Sequence, residues 1–178
     1  MIEVLVAVAV LAIGLLGIAA LQIQGVRYNF DSYLRSQAVV LVNDYVERMY
    51  ANTPGLLAGN YGGFASASIA CGTAPAQLCG RQSNNATPVA CTAAQMATYD
   101  RYIAACGYPV TGGRHGGVQD LLPSGAMTVD CLNAAGAVIT PCVAGSRHRL
   151  TVTWQERREA AGGTTSLQNA TYQLIVEP

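Results

Sequence analysis

The sequence has no lysine, one tryptophan and two histidines, and no charged residue stands between Glu3 and Arg27. Ten arginines balance ten acidic residues, so no long-range field draws the chain to nucleic acid or anionic lipid, which weighs against a DNA-binding role. No GxSxG, HExxH, Walker loop or Gly-rich dinucleotide turn occurs. With two histidines and no clustered carboxylates there is little from which to build an active site, so the reading is of a non-enzymatic chain without a cofactor. CxxC is also missing, and neither His115 nor His148 has ligand spacing to a cysteine pair, which weighs against zinc.

What is present begins with a long apolar run. Val4 to Leu21 is uncharged and reaches the roughly 18 residues a spanning helix needs. A cleaved secretory signal would have a basic start, a shorter apolar core and a small-residue exit site. None of these is clear, so a retained anchor over 1–26 is expected, with a buried core helix as the alternative. Arg27 and Arg35 after the span, read by the positive-inside rule, would keep the body cytoplasmic. The cysteines argue the other way: all six lie between Cys71 and Cys142, an even number in a small loop-rich region, as in a disulfide framework made in an oxidising compartment.

Helix character continues past the span. Apolar residues recur at Val26, Phe30, Leu34, Ala38, Leu41, Tyr45 and Met49, and Asp44 and Arg48 stand one turn apart on the other side. Pro54 and Gly55 stop the pattern, giving a helix over 1–52 and a head over 53–178. A helix from Ile2 to Asn52 would be roughly 75 Å long, more than any bilayer, so its outer half must lie on the domain that follows. Residues 56–90 read as a long loop held by Cys71 and Cys79, with disulfides in place of a core. "CTAAQMATYDRYIAACG" reads as a helix with a Thr92/Gln95 capping box, Met96, Tyr99 and Ile103 on one face, and Gly107 at its end. Met127, Val129 and Cys131 alternate along a strand, as do Leu150, Val152 and Trp154, and Tyr172, Leu174 and Val176. The last two sets flank "AAGGTTS" and predict a terminal antiparallel hairpin. The fold class is therefore α+β, a long N-terminal helix packed on a small antiparallel sheet with disulfide-stapled loops.

"IEVLVAVAVLAIGLLGIAALQ", "QAVVLVNDYVERMYANTPG", "CTAAQMATYDRY", "LLPSGAMTVDC" and "LTVTWQE" together resemble the type IV pilins, and among them the PilV minor pilins. The resemblance runs nearly end to end. Type II secretion pseudopilins share the first block. Family precursors carry a short basic leader ending in Gly, cut before an aromatic residue a few positions ahead of the glutamate matching Glu3. Met1 is accordingly expected to be internal to the mature protein, with leader, cleavage and N-methylation implied by the resemblance alone. Those leader charges stay cytoplasmic in the family, which returns the body to the periplasm.

The resemblance gives Glu3 a role in subunit assembly, meeting the N-terminal amine of a neighbouring subunit. A carboxylate at a helix start is favoured by about 0.3–1 kcal/mol, whereas deep in the apolar phase it costs several, which a cationic partner offsets. The competing reading is a helix acid dissolved among headgroups. Gly14 and Gly17 each cost about 0.8–1 kcal/mol relative to Ala; they serve either helix flexibility, by unwinding on leaving the bilayer, or close packing between helices. Six cysteines allow 15 pairings. Sequential pairing of Cys71 with Cys79, Cys91 with Cys106 and Cys131 with Cys142 is expected, because short loops close most readily. Trp154 reads as core, "RHR" at 147–149 and "ERRE" at 156–159 as solvated strand ends, and the "NAT" triplets at Asn85 and Asn169 as chance matches to a glycosylation pattern.

The expected function is that of a structural subunit, a minor pilin of a tip or priming complex supporting adhesion, motility or DNA uptake. Its implied partners are the inner membrane before assembly, other minor pilins and the major pilin through the helix, and a tip adhesin through the head. Its implied location is the inner membrane with a periplasmic head, then the pilus. A type II secretion pseudopilin is the alternative. An alternative of another class is a singly anchored periplasmic binding or thiol-active domain.

Overall fold

The computed structural model describes residues 2–80, 89–110, 113–159 and 165–178. The chain divides into two compact units, 1–35 and 36–178. Helix α1 (Ile2–Ala51) supplies the described part of the first and the start of the second. Its first 25 or so residues are rich in Ala, Leu, Val and Ile, all of whose backbone groups a helix satisfies within itself, as a lipid environment demands. Every side chain from Ile2 to Phe30 is exposed. The helix is long and apolar enough to cross a membrane, and none of that apolar window is buried in the protein.

In the second unit α1 becomes amphipathic. Ala38, Leu41, Val42, Tyr45 and Met49 are buried along one stripe, the spacing of a single helical face. Asn52 ends the helix and caps the next, its side chain accepting from the Gly55 amide at the head of α2 (Thr53–Leu57). Strand β1 (Phe64–Ala65) follows, with Phe64 packed on Tyr45 at 5.6 Å between ring centroids. The expected loop over 56–90 needs correction. Leu56, Tyr61, Phe64 and Ser66 are all buried, so its first part builds core as well as relying on disulfides.

Helix α3 (Ala93–Cys106) starts at the Thr92/Gln95 capping box, both reciprocal bonds being made. Gly107 ends it at φ 73°. A Cβ there would lie 2.2 Å from the His115 carbonyl oxygen, so only glycine fits. The chain then forms a two-stranded sheet, β2 (Tyr108–Val110) with β3 (Gly113–His115), and the single turn α4 (Val118–Leu121).

The main sheet is antiparallel. Strand β4 (Ala126–Leu132) carries β5 (Val138–Ile139) off one end, and the order across the sheet is β1, β4, β6 (Arg147–Glu159), β7 (Thr165–Val176). The expected alternations are present: Met127, Val129 and Cys131 of β4 and Leu150, Val152 and Trp154 of β6 are buried, facing the helical stripe. This is the α+β arrangement expected, a long helix packed on an antiparallel sheet. The hairpin joining β6 to β7 pairs from His148 with Val176 to Glu159 with Thr165, and its turn, 160–164, lies outside the described residues.

Candidate functional site

Glu3 sits in the first turn of α1 with an exposed side chain. Gly14 and Gly17 lie inside the same uninterrupted helix, and a Cβ at either would meet no atom of the chain within 4 Å. Neither glycine is therefore needed for packing against the described residues.

All six cysteines are paired, and no thiol is free. The bridges are Cys71–Cys106, Cys79–Cys91 and Cys131–Cys142. The expected third pair is present, while the expected Cys71–Cys79 and Cys91–Cys106 pairs are not. The reason is α3. Cys106 is the last of the 14 residues of α3 and Cys91 lies two before the first, a separation of roughly 21 Å along the axis, whereas bridged cysteines need Cα atoms within about 7 Å. Cys106, at the far end, instead pins Cys71, and Cys91, at the near end, takes Cys79. Both bridges tie the segment before α3 to the ends of that helix.

A buried polar cluster joins α1 to α3, and the sequence reading missed it. Asp100 is 4 % exposed and accepts from the Tyr61 hydroxyl at 2.6 Å. Arg48 stands 3.7 Å from the same carboxylate and bonds Asp44 at 2.8 Å, the pairing anticipated one turn away. Its guanidinium also donates to the Tyr108 hydroxyl. Asn52 donates to Tyr61 at 3.0 Å and to the Ala93 carbonyl at 2.8 Å, so one amide fastens the end of α1 to the start of α3. Burial raises the Asp100 carboxyl above its ordinary range, against the opposing pull of the Tyr61 bond and Arg48. Burial and the neighbouring Asp100 charge likewise raise the Tyr61 phenol. The signal was present in "MATYDRYI": Asp100 is four after Met96 and three before Ile103, a carboxylate on the apolar face.

Two groups on β6 correct the reading of its ends as solvated. His148 is 0 % exposed and Glu156 2 % exposed, because both fall on the inward alternation with Leu150, Val152 and Trp154. Glu156 accepts from the Trp154 indole at 3.0 Å, with Arg158 at 3.4 Å, so Trp154 is core with a satisfied N–H. Burial lowers the His148 imidazole below its ordinary value. Among the described residues no group of three or more His, Cys, Asp or Glu is placed to hold a metal. Asn169 is exposed on β7, and Asn85 lies outside the described residues.

Each unit carries its own feature: the first an exposed apolar helical stretch with Glu3 in its first turn, the second a buried polar cluster and two disulfides that meet at α3. Residues 20–102 match a family model, the Tt1218-like type IV pilins. That match supports a pilin-type structural subunit, and the apolar N-terminal helix fits membrane anchoring. The matched stretch runs from within α1 through most of α3, so it includes Asn52, Tyr61 and Asp100. Neither curated proteins nor solved structures give a match.

Proposed function

We propose that the chain is a type IV minor pilin of the PilV kind, held in the inner membrane by α1 with its head in the periplasm, and then taken into a pilus as part of a tip or priming complex. The observation that carries this reading is the exposed helix with Glu3 at its start, joined to a disulfide-bonded head and matched over 20–102 by a type IV pilin model. Helix packing would bury the exposed apolar face in the filament, and Glu3, costly in an apolar core alone, would be neutralised by the terminal amine of a neighbour. Partners on this reading are the major pilin and other minor pilins through the helix, and a tip adhesin through the head. The same helix would serve a secretion pseudopilin, but the match to a type IV pilin family favours the pilus. A thiol-active domain is disfavoured, since every cysteine is bridged.

The test is deletion of the gene followed by complementation with the wild type, Glu3→Ala or Glu3→Gln, scored for surface pili and for co-purifying minor pilins. Loss of pili on deletion, restored by the wild type and not by Glu3→Ala, is expected. Normal piliation in the deletion would reject the priming role, and normal incorporation of Glu3→Ala would reject the assembly contact.

A further inference from the structure

Strand β7 is the outermost strand of the main sheet, and among the described residues nothing pairs with its outer edge. Long exposed edges are ordinarily protected by charges, proline or bulges. β7 has none of these: from Thr165 to Val176 it carries no charged residue and no proline, and its register with β6 is unbroken over its whole length. It presents a regular row of backbone donors and acceptors, which another extended strand satisfies.

The side chains indicate which strand. On the outer face β7 carries Leu167, Asn169, Thr171, Gln173 and Ile175, all exposed. Leu167 and Ile175 are its only large apolar exposed residues, at 62 % and 51 %. About Thr171 the order is apolar, amide, hydroxyl, amide, apolar, the same from either end. The inner face is also incomplete. Leu150, Val152 and Trp154 on β6 are buried, whereas their partners Leu174, Tyr172 and Ala170 on β7 are only half-buried.

We propose that β7 pairs antiparallel with β7 of a second copy of this chain, with Thr171 opposite Thr171. Leu167 of each copy then faces Ile175 of the other, and Asn169 faces Gln173. On the inner face Ala170 faces Tyr172, covering the half-buried strip. Because the strand is uncharged, self-pairing sets no like charges opposite one another. A slip of one residue would turn the apolar outer positions of one copy against the inner face of the other, so the register is specified. The pairing does not depend on the pilin reading.

The test uses the full chain in detergent. Directly opposite residues have Cα atoms about 4.5–5.5 Å apart, within the span a disulfide bridges. Thr171→Cys should therefore give a covalent dimer under mild oxidation. Asn169→Cys alone should not, since two such residues would be offset by four positions, roughly 14 Å along the strands. Mixed with Gln173→Cys, it should. Independently, Thr171→Lys places two like charges at the centre of the pairing and leaves α1 unaltered; light scattering should show at least tenfold weaker association than the wild type. The proposal is overturned if Thr171→Cys stays monomeric, if all the cysteine variants cross-link equally, or if Thr171→Lys associates as the wild type does. A foreign strand found on β7 in place of a second copy would also overturn it.

Discussion

The Tyr61 hydroxyl donates to the Asp100 carboxylate at 2.6 Å, joining the segment after α1 to the middle of α3 inside the head. Removing one partner of a buried hydrogen bond to a charge strands the other, at a cost of about 1–3 kcal/mol. Asp100→Ala should destabilise the head by that amount in denaturant titrations, and Tyr61→Phe by less, since Arg48 remains near the carboxylate. The pH dependence separates charge from contact. Because the folded carboxyl binds its proton more tightly than the unfolded one, Asp100 contributes stability that is present below the ordinary value of 3.8 and lost as pH rises through its raised folded pKa. Asp100→Asn should flatten that slope in melting curves.

His148 has the opposite sign. Its folded pKa is below the ordinary 6.5, so the unfolded chain takes up the proton first as the solution is acidified. Its contribution is present above 6.5 and is lost as pH falls toward the lowered folded pKa. His148→Gln should reduce the loss of melting temperature below neutrality, while the wild type should show the full decline.

The bridges differ in the loop each one closes. Cys71–Cys106 spans 35 residues and Cys79–Cys91 spans 12. If cross-links act mainly by restricting the unfolded chain, replacing the first pair with serine costs about 3.8 kcal/mol and the second about 2.8 kcal/mol. Denaturant titration of the two double variants should rank them in that order. Non-reducing peptide mapping of the wild type should recover both links and no Cys91–Cys106 peptide.

At Gly14 and Gly17 the chain has open space. Alanine at either should favour the helix by about 0.8–1 kcal/mol, with unchanged melting of the head and undiminished helical circular dichroism. Pilus incorporation of alanine and leucine variants then tells the two roles apart. Alanine keeps a small interface but removes flexibility, and leucine removes both, so tolerance of alanine with failure of leucine identifies close packing.

Apolar periodicity along the chain was enough to place α1, α3, β4, β6 and β7, since burying one face at a fixed spacing is a local property of sequence. The capping box at Thr92 and the stop at Gly107 were legible for the same reason. Loop length alone predicts the wrong partners for Cys91 and Cys106, because the helix between them holds their Cα atoms too far apart for a bridge. His148 and Glu156, expected in solvated strand ends, and Asp100 belong to residue types that composition assigns to the surface, while their phase in the apolar repeat marks all three as interior.

By itself, then, the sequence determined an uncharged apolar stretch preceded by one acid, a second amphipathic stretch, and strands of alternating character, all set by spacing along the chain. Only the tertiary structure decided which cysteines meet, which carboxylate is buried beneath Arg48 and Tyr61, and that β7 is left at the edge. Those outcomes depend on distances between residues far apart in sequence, which exist only once helix and sheet have packed.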